Sequence, residues 1–254
     1  MPEQLWFTAI LNHIFAGPAT SVLRVLHVEP RFAQAPISDA FAMQLLVFLL
    51  LLLAFAFFRS RLSVDSPGAL QHTFESVDEF IKGQASEIIG HHSERFIAFL
   101  MTMFLFILCC NLIGMIPGFD SPTGIAATVP LGCAIVAFAY YNWHGVRHQG
   151  PGGYFKHFFG PPMPGMSIFM RVPFMILMFP IEIASHAARL LSLTVRLWAN
   201  IFAGDLVTLV FFSLIPIGLP VVFLSLHLMV AVLQAYVFVL LTMIYISAAV
   251  ADEH

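Results

Sequence analysis

Glu182, Arg189, Arg196 and Asp205 sit inside an apolar run, 167–214, that is too oily to be a soluble surface helix. A charge at bilayer depth costs roughly 2.5 to 3.5 kcal/mol on insertion scales, so such residues mark function by default. At about 100° per residue, Glu182, Ser185, Arg189, Ser192 and Arg196 share one helical face. Ala188, Ser192, Arg196, Asn200 and Gly204 form an i, i+4 row. Away from its charges this stripe is mostly small, and small residues let another membrane helix approach closely. Arg196 therefore faces a partner from a shallow groove. Asp205, nine residues on, emerges on the opposite side of the same helix.

Arginine never gives up its proton, so Arg196 cannot relay one. It acts as a fixed positive field that favours the ionised form of a nearby carboxylate and blocks cations from passing straight through. Asp205 and His227 titrate within reach of neutral pH once burial and neighbours shift them. His227 and Gln234 are seven apart and share a face of the next helix, with Ser225 nearby. A lone histidine on an apolar helix is usually hydrogen-bonded packing. An antiparallel hairpin, however, would turn this whole stripe toward the first helix. Acid and imidazole then make a proton path from one side. Glu182, 14 residues and about 21 Å of helix from Arg196, could serve the other. The bland alternative is mutual neutralisation of the four charges, but opposite faces of a straight helix forbid pairing Asp205 with Arg196. A proton path interrupted by a permanent cation is useful only if a mobile carboxylate shuttles protons past it. The membrane potential supplies about 2.3 kcal/mol per charge per 100 mV for that motion. This sequence holds no such shuttle, so a partner must supply it.

The elements that hold these residues are membrane helices. The 254 residues are 59% hydrophobic and 10% charged, with no polar stretch long enough for a soluble domain, which predicts one polytopic all-α membrane domain over 1–254. A net charge of −3 with scattered Lys and Arg argues against nucleic acid. Cys109, Cys110 and Cys133 lack metal or disulfide spacing and read as apolar packing. His91, His92 and Glu94 lack a third metal-ligand motif and read as surface residues. The first residues lack the charged start, apolar core and small-residue cleavage site of a signal peptide, which predicts that insertion relies on the first membrane helix.

An N-terminal arm, 1–40, carries an interfacial helix over 5–15 and turn signals at Gly17-Pro18, Pro30 and Pro36. Spanning helices are predicted at 41–58, 96–116 and 129–143, with an amphipathic surface helix at 67–90 whose apolar positions are Leu70, Phe74, Val77, Ile81 and Ile88. The Gly- and Pro-rich segment 144–164 reads as a loop or re-entrant segment. Two long helices, 167–214 and 221–250, exceed the roughly 20 residues that cross a bilayer and must tilt strongly as a hairpin. Pro173 and Pro180 leave the start of the first one open to a kink. Lys and Arg number two in the N-terminal arm (Arg24, Arg31), four between the first two spans (Arg59, Arg61, Lys82, Arg95), none after the second and two after the third (Arg147, Lys156). With five crossings, the positive-inside rule puts the N-terminus outside and the C-terminus in the cytoplasm.

SLTVRLWANIFAGD from Ser192 to Asp205, PIE at Pro180 to Glu182, NLIGMIP at Asn111 to Pro117 and HLMVAVLQAYVFVLLTMIY from His227 to Tyr245 resemble the subunit a family of rotary F-type ATP synthases, of bacterial type. The resemblance runs from Phe41 to the C-terminus. It implies that Arg196 faces the carboxylate of a rotating c-ring. Asn200, Asp205, His227 and Gln234 would line an outer half-channel, and Glu182, Ser185 and Ser192 would approach an inner one. Asn111 matches a polar position on the second span. Bacterial members often carry glutamate where this chain has Asp205. The implied partners are the c-ring, the peripheral-stalk b subunits and the lipid of a bacterial inner membrane, with no cofactor, no metal and no catalytic role of its own. Two other classes compete. A haem-binding subunit would use pairs among the 11 His, of which only His186 and His227 lie deep. A stand-alone secondary transporter would show inverted repeats, which are absent.

Overall fold

The computed structural model describes residues 5–25, 36–61, 68–90, 93–116, 119–125, 128–157, 168–214 and 218–250, and every regular element among them is helical. In chain order these are α1 (Trp6–Val25), α2 (Asp39–Arg61), α3 (Ala69–Ile88), α4 (Glu94–Ile113), α5 (Val129–His157), α6 (Ile168–Leu214) and α7 (Leu219–Val250), with one 3₁₀ turn at Pro122–Gly124. The protein is an all-α membrane protein. Among the described residues, four helices are long and apolar enough to cross a bilayer, through Asp39–Arg59, Glu94–Ile113, Pro173–Leu214 and Val221–Val250. Helix α5, the fifth expected crossing, falls short of that measure: its apolar half ends at Tyr141, and Asn142, His144, Arg147 and His148 follow.

Helix α4 is the hub. Phe96, Leu100, Met103, Ile107 and Cys110 recur at three- and four-residue spacing and are buried. They belong to one core with Ile81 and Ala85 of α3, Cys133, Ala134 and Ala137 of α5, Leu193 and Leu197 of α6, and Ala235, Val239 and Met243 of α7. Lipid offers no hydrophobic drive for helices to meet, so close packing of small residues and interhelical hydrogen bonds must hold them together. Both occur here. Ala231 and Ala235 of α7 are fully buried. Tyr236 donates to Gln84 Oε1 at 3.2 Å and Ser247 to the Ile88 carbonyl at 2.8 Å, pinning α7 to α3.

The amphipathic reading of α3 holds in its middle. Ile81 and Ala85 are buried, Phe74 packs edge-on against Phe58 of α2 at 4.8 Å, and Glu75, Glu79 and Glu87 face outward. Lys82 pairs with Asp78 on the exposed side. Leu70, in the first turn, is exposed instead. His91, His92 and Pro117-Gly118 lie outside the described residues.

Three segments depart from expectation. Helix α1 does not stop at Gly17-Pro18 but runs on to Val25, with Thr20 and Ser21 hydroxyls donating to the Gly17 carbonyl. The segment after Trp143 is helical rather than a loop. It continues to a break at Gly150, whose φ of 75° is the left-handed conformation glycine tolerates, and restarts at Pro151, where a missing N–H costs nothing. Residues 158–164 of that segment lie outside the described residues. Helix α6 runs unbroken through Pro173 and Pro180 for 47 residues, or about 70 Å, and α7 spans 32 residues, about 48 Å. Both exceed a ~30 Å hydrocarbon core, so they tilt. They form a hairpin near Gly218, with Phe211 stacked on Phe223 at 4.1 Å.

Asn12 secures the arm. Its side chain donates to the Ile37 carbonyl at 3.1 Å and accepts from the Ile37 N–H at 3.0 Å, mimicking a strand partner just before α2. Asn12→Ala removes both bonds and is expected to destabilise this junction by about 1–3 kcal/mol. Faster protease cleavage before residue 39, with the remaining helices intact, is the readout; an unchanged cleavage rate refutes the clamp.

Candidate functional site

Polar groups gather at two levels of α6, on either side of Arg196. At the hairpin end, α7 approaches so closely at Gly204 that a Cβ there would lie 2.6 Å from His227 Nδ1 and 2.8 Å from Cε1. Only a residue without a side chain leaves room for the ring. His227, 6% exposed, then sets Nδ1 3.8 Å from Asp205 Oδ1. That is ion-pair range when the imidazole is protonated but too long for a direct hydrogen bond. Two turns along α7, Gln234 Oε1 accepts from Asn200 Nδ2 at 2.6 Å. Asn111 of α4 joins from behind, donating to the Ala231 carbonyl at 3.3 Å. Gln234 Nε2 and Asn111 Oδ1 are buried with no hydrogen-bond partner among the described residues. One is a donor, the other an acceptor, and leaving either unsatisfied costs about 1–3 kcal/mol.

A cleft of about 270 Å³ opens beside this cluster, lined by Gly114, Met115, Phe119, Asp205, Thr208 and His227 among others. Its wall is the short loop after α4. Gly114 lets Ser121 lie against α4, where Ser121 donates to the Cys110 carbonyl at 3.2 Å, and Trp198 Nε1 donates to the Gly124 carbonyl at 3.0 Å. The loop is thus fixed to two membrane helices, and Asp205 projects into the opening with its side chain 47% exposed.

Arg196 lies between the levels, half-buried, with no acid within ion-pair distance among the described residues. Leu193, Leu197 and Ile201 turn the other edge of α6 into the core. Leu191, Val195 and Phe202 are 61%, 49% and 44% exposed, and Ala184, Ala187, Ala188, Ser192 and Ala203 are exposed with them. Arg196 and Asp205, 180° apart on the wheel, border this bare face from its two edges.

The second level is one the residue spacing only half revealed. Glu182 Oε1 lies 3.6 Å from His186 Nε2 one turn away, and His186 Nδ1 meets the Tyr141 hydroxyl of α5 at 3.1 Å. Arg189 rests its guanidinium over the Tyr245 ring of α7 at 5.4 Å. These side chains, with Gln149 and Tyr154 from either side of the α5 break, enclose a cavity of about 80 Å³. Burial pushes the Tyr154 phenol up to about 12, so it stays protonated and donates to Asn142 Oδ1 at 2.5 Å. Ser185 donates only to its own helix, to the Ile181 carbonyl at 2.9 Å, and Ser192 faces outward from the bare face. Neither joins the cluster. Ser225 likewise donates only to the Val221 carbonyl. His186 and His227 belong to different clusters, so they do not share a haem-sized space.

The family model described as ATP synthase A chain matches residues 41–247. The "ATP synthase subunit a" of Koribacter versatilis is 50% identical over 254 residues, the whole of both chains. That of Solibacter usitatus is 48% identical over 245 residues, 96% of this chain and 100% of its own. That of Bdellovibrio bacteriovorus is 42% identical over 187 residues, 73% of this chain and 77% of its own. A match over most of the chain and identity of this order across full lengths leave one assignment: the chain belongs to the ATP synthase A chain family.

Proposed function

We propose that this chain is the proton-conducting stator subunit of an ATP synthase in a bacterial inner membrane. Its bare α6 face sits against a rotating ring of small carboxylate-bearing subunits, and peripheral-stalk b subunits hold it still. The observation that carries the reading is a half-buried guanidinium, with no acid within ion-pair distance among the described residues, standing between two polar clusters on one helix. The chain itself only moves protons and carries out none of the ATP chemistry.

A proton entering the Asp205–His227 cleft reaches the Asn200–Gln234 level and loads a ring carboxylate. Once neutral, that carboxylate travels through lipid without the several-kcal/mol cost of a bare charge. It discharges toward Glu182, and the ionised acid then passes Arg196, whose fixed charge favours the deprotonated form. Because Arg196 keeps its proton at any working pH, no proton hops directly from one cluster to the other. Flow is obliged to turn the ring.

Cysteine cross-linking tests the arrangement. With Cys109, Cys110 and Cys133 replaced by Ala, a cysteine at Leu191, Val195 or Phe202 is expected to form a disulfide with one placed a turn from the ring carboxylate. A cysteine at Leu53 of α2, 67% exposed on another helix, is expected not to. Cross-links from Leu53 and none from the α6 positions would reverse the assignment of faces.

A further inference from the structure

Outside the cleft, His186 is a buried titratable group that the resemblance did not place. Its two ring nitrogens face two different exchangeable partners, Nε2 toward Glu182 at 3.6 Å and Nδ1 toward the Tyr141 hydroxyl at 3.1 Å. A histidine kept only for packing is commonly fixed by a backbone carbonyl, which can hold a proton in place but cannot carry one onward. Here the ring bridges a carboxyl and a phenol. The cavity beside it is lined at its far side by Ala248 and Ala249 from the last turn of α7, so it lies at an end of the membrane-crossing segment rather than its middle.

We infer that His186 passes protons along the inner path, exchanging them with Glu182 through Nε2 and with the Tyr141 side through Nδ1. The inference rests on the proposed stator function and adds a carrier to it. In the outward-to-inward direction the Glu182 O–H breaks as Nε2–H forms. Nδ1–H then breaks toward the Tyr141 oxygen while the Tyr141 O–H passes to the next acceptor in the cavity. The ring is left neutral, with its proton on Nε2; cavity water that takes this proton while giving one to Nδ1 restores the starting tautomer with no net transfer. ATP-driven pumping runs the same steps in reverse. The groups that face His186 are Glu182 and Arg189 from α6, Tyr141 and Tyr154 from α5, and, through Arg189, Tyr245 from α7.

The test uses the assembled complex in membrane vesicles with the Glu182 end of α6 facing the bath, and follows ATP-driven proton uptake between bath pH 5.5 and 8.5. His186→Gln keeps a polar side chain but cannot titrate. It is expected to slow proton uptake about tenfold or more and to flatten its dependence on bath pH. His186→Ala is expected to regain several-fold of its rate when free imidazole is added to the bath, which a packing defect would not do. Tyr141→Phe removes one oxygen from a fully packed ring and is expected to slow uptake similarly, without adding to the effect of His186→Gln. Unchanged rate and pH profile in His186→Gln and Tyr141→Phe, beside an Arg196→Ala complex that no longer pumps, would overturn this inference and leave the stator function standing. Continued coupled pumping by Arg196→Ala would remove its basis. If His186→Gln does not assemble, Tyr141→Phe alone decides.

Discussion

Arg196→Ala is expected to abolish ATP synthesis and coupled proton pumping by the assembled complex, a fall of at least about 100-fold, while raising its passive proton leak. The two effects come from one cause. The guanidinium has no acid within ion-pair distance among the described residues, so its field is available to whatever carboxylate moves along the bare α6 face. Without that field, an ionised ring acid near this point is isolated in low dielectric and stays protonated, so it cannot be emptied toward one side before being refilled from the other. Protons can then cross between the clusters on a stationary ring. Arg196→Lys is expected to recover little. An ammonium in a half-buried site shifts its pKa readily and can itself lose a proton, and it lacks the planar fork that meets a carboxylate with two hydrogen bonds. Proton uptake driven by ATP and decay of an imposed pH step, both in sealed vesicles, separate loss of coupling from loss of the complex. A misassembled complex would show neither pumping nor extra leak. Retained coupled pumping would refute the role.

Much of this arrangement was legible because it follows from helix geometry along single segments. The row Ala188, Ser192, Arg196, Asn200, Gly204 is a spacing rule, and in the fold it runs from the bare face into contact with α7. The seven-residue separation of His227 and Gln234 put both on one face, and they meet Gly204 and Asn200 as an antiparallel hairpin requires. What the spacing could not supply was anything contributed by a second helix whose own helicity was hidden. Tyr141, Gln149 and Tyr154 surround His186, yet α5 past Trp143 is rich in glycine and proline and reads as a loop. A glycine at positive φ followed by proline breaks a helix once; it does not prevent a second one from starting. Gly145 shows why that stretch is glycine-rich: a Cβ there would lie 2.6 Å from the Tyr154 ring, so the small residue is needed for the two halves of α5 to fold together. The same spacing rule places Ser185 and Ser192 in the polar stripe, but a hydroxyl in a helix can satisfy itself on the carbonyl four residues back, as Ser185 does.

Gly204→Val carries the other large expected effect, and a paired substitution separates its two components. A Cβ at position 204 meets the imidazole at 2.6 Å from Nδ1 and 3.3 Å from Cγ, so the neighbour is a ring with two torsions rather than the free end of a long chain. The ring must turn away or the helices must part. Overpacking of this kind costs about 1–3 kcal/mol, more than the ~1 kcal/mol that leaving glycine behind returns to a helix interior. Either response breaks the 3.8 Å approach of His227 to Asp205, and parting the helices also stretches the 2.6 Å Asn200–Gln234 bond. Proton translocation is therefore expected to fall below about a tenth of its normal rate, with a lowered yield of complex. Combining Gly204→Val with His227→Ala removes the clash by exchanging volume across the interface, and is expected to restore the yield but not the translocation, because the titratable ring is gone. Recovery of both would mean that His227 only fills space. Recovery of neither would place the obstruction elsewhere than between these two residues.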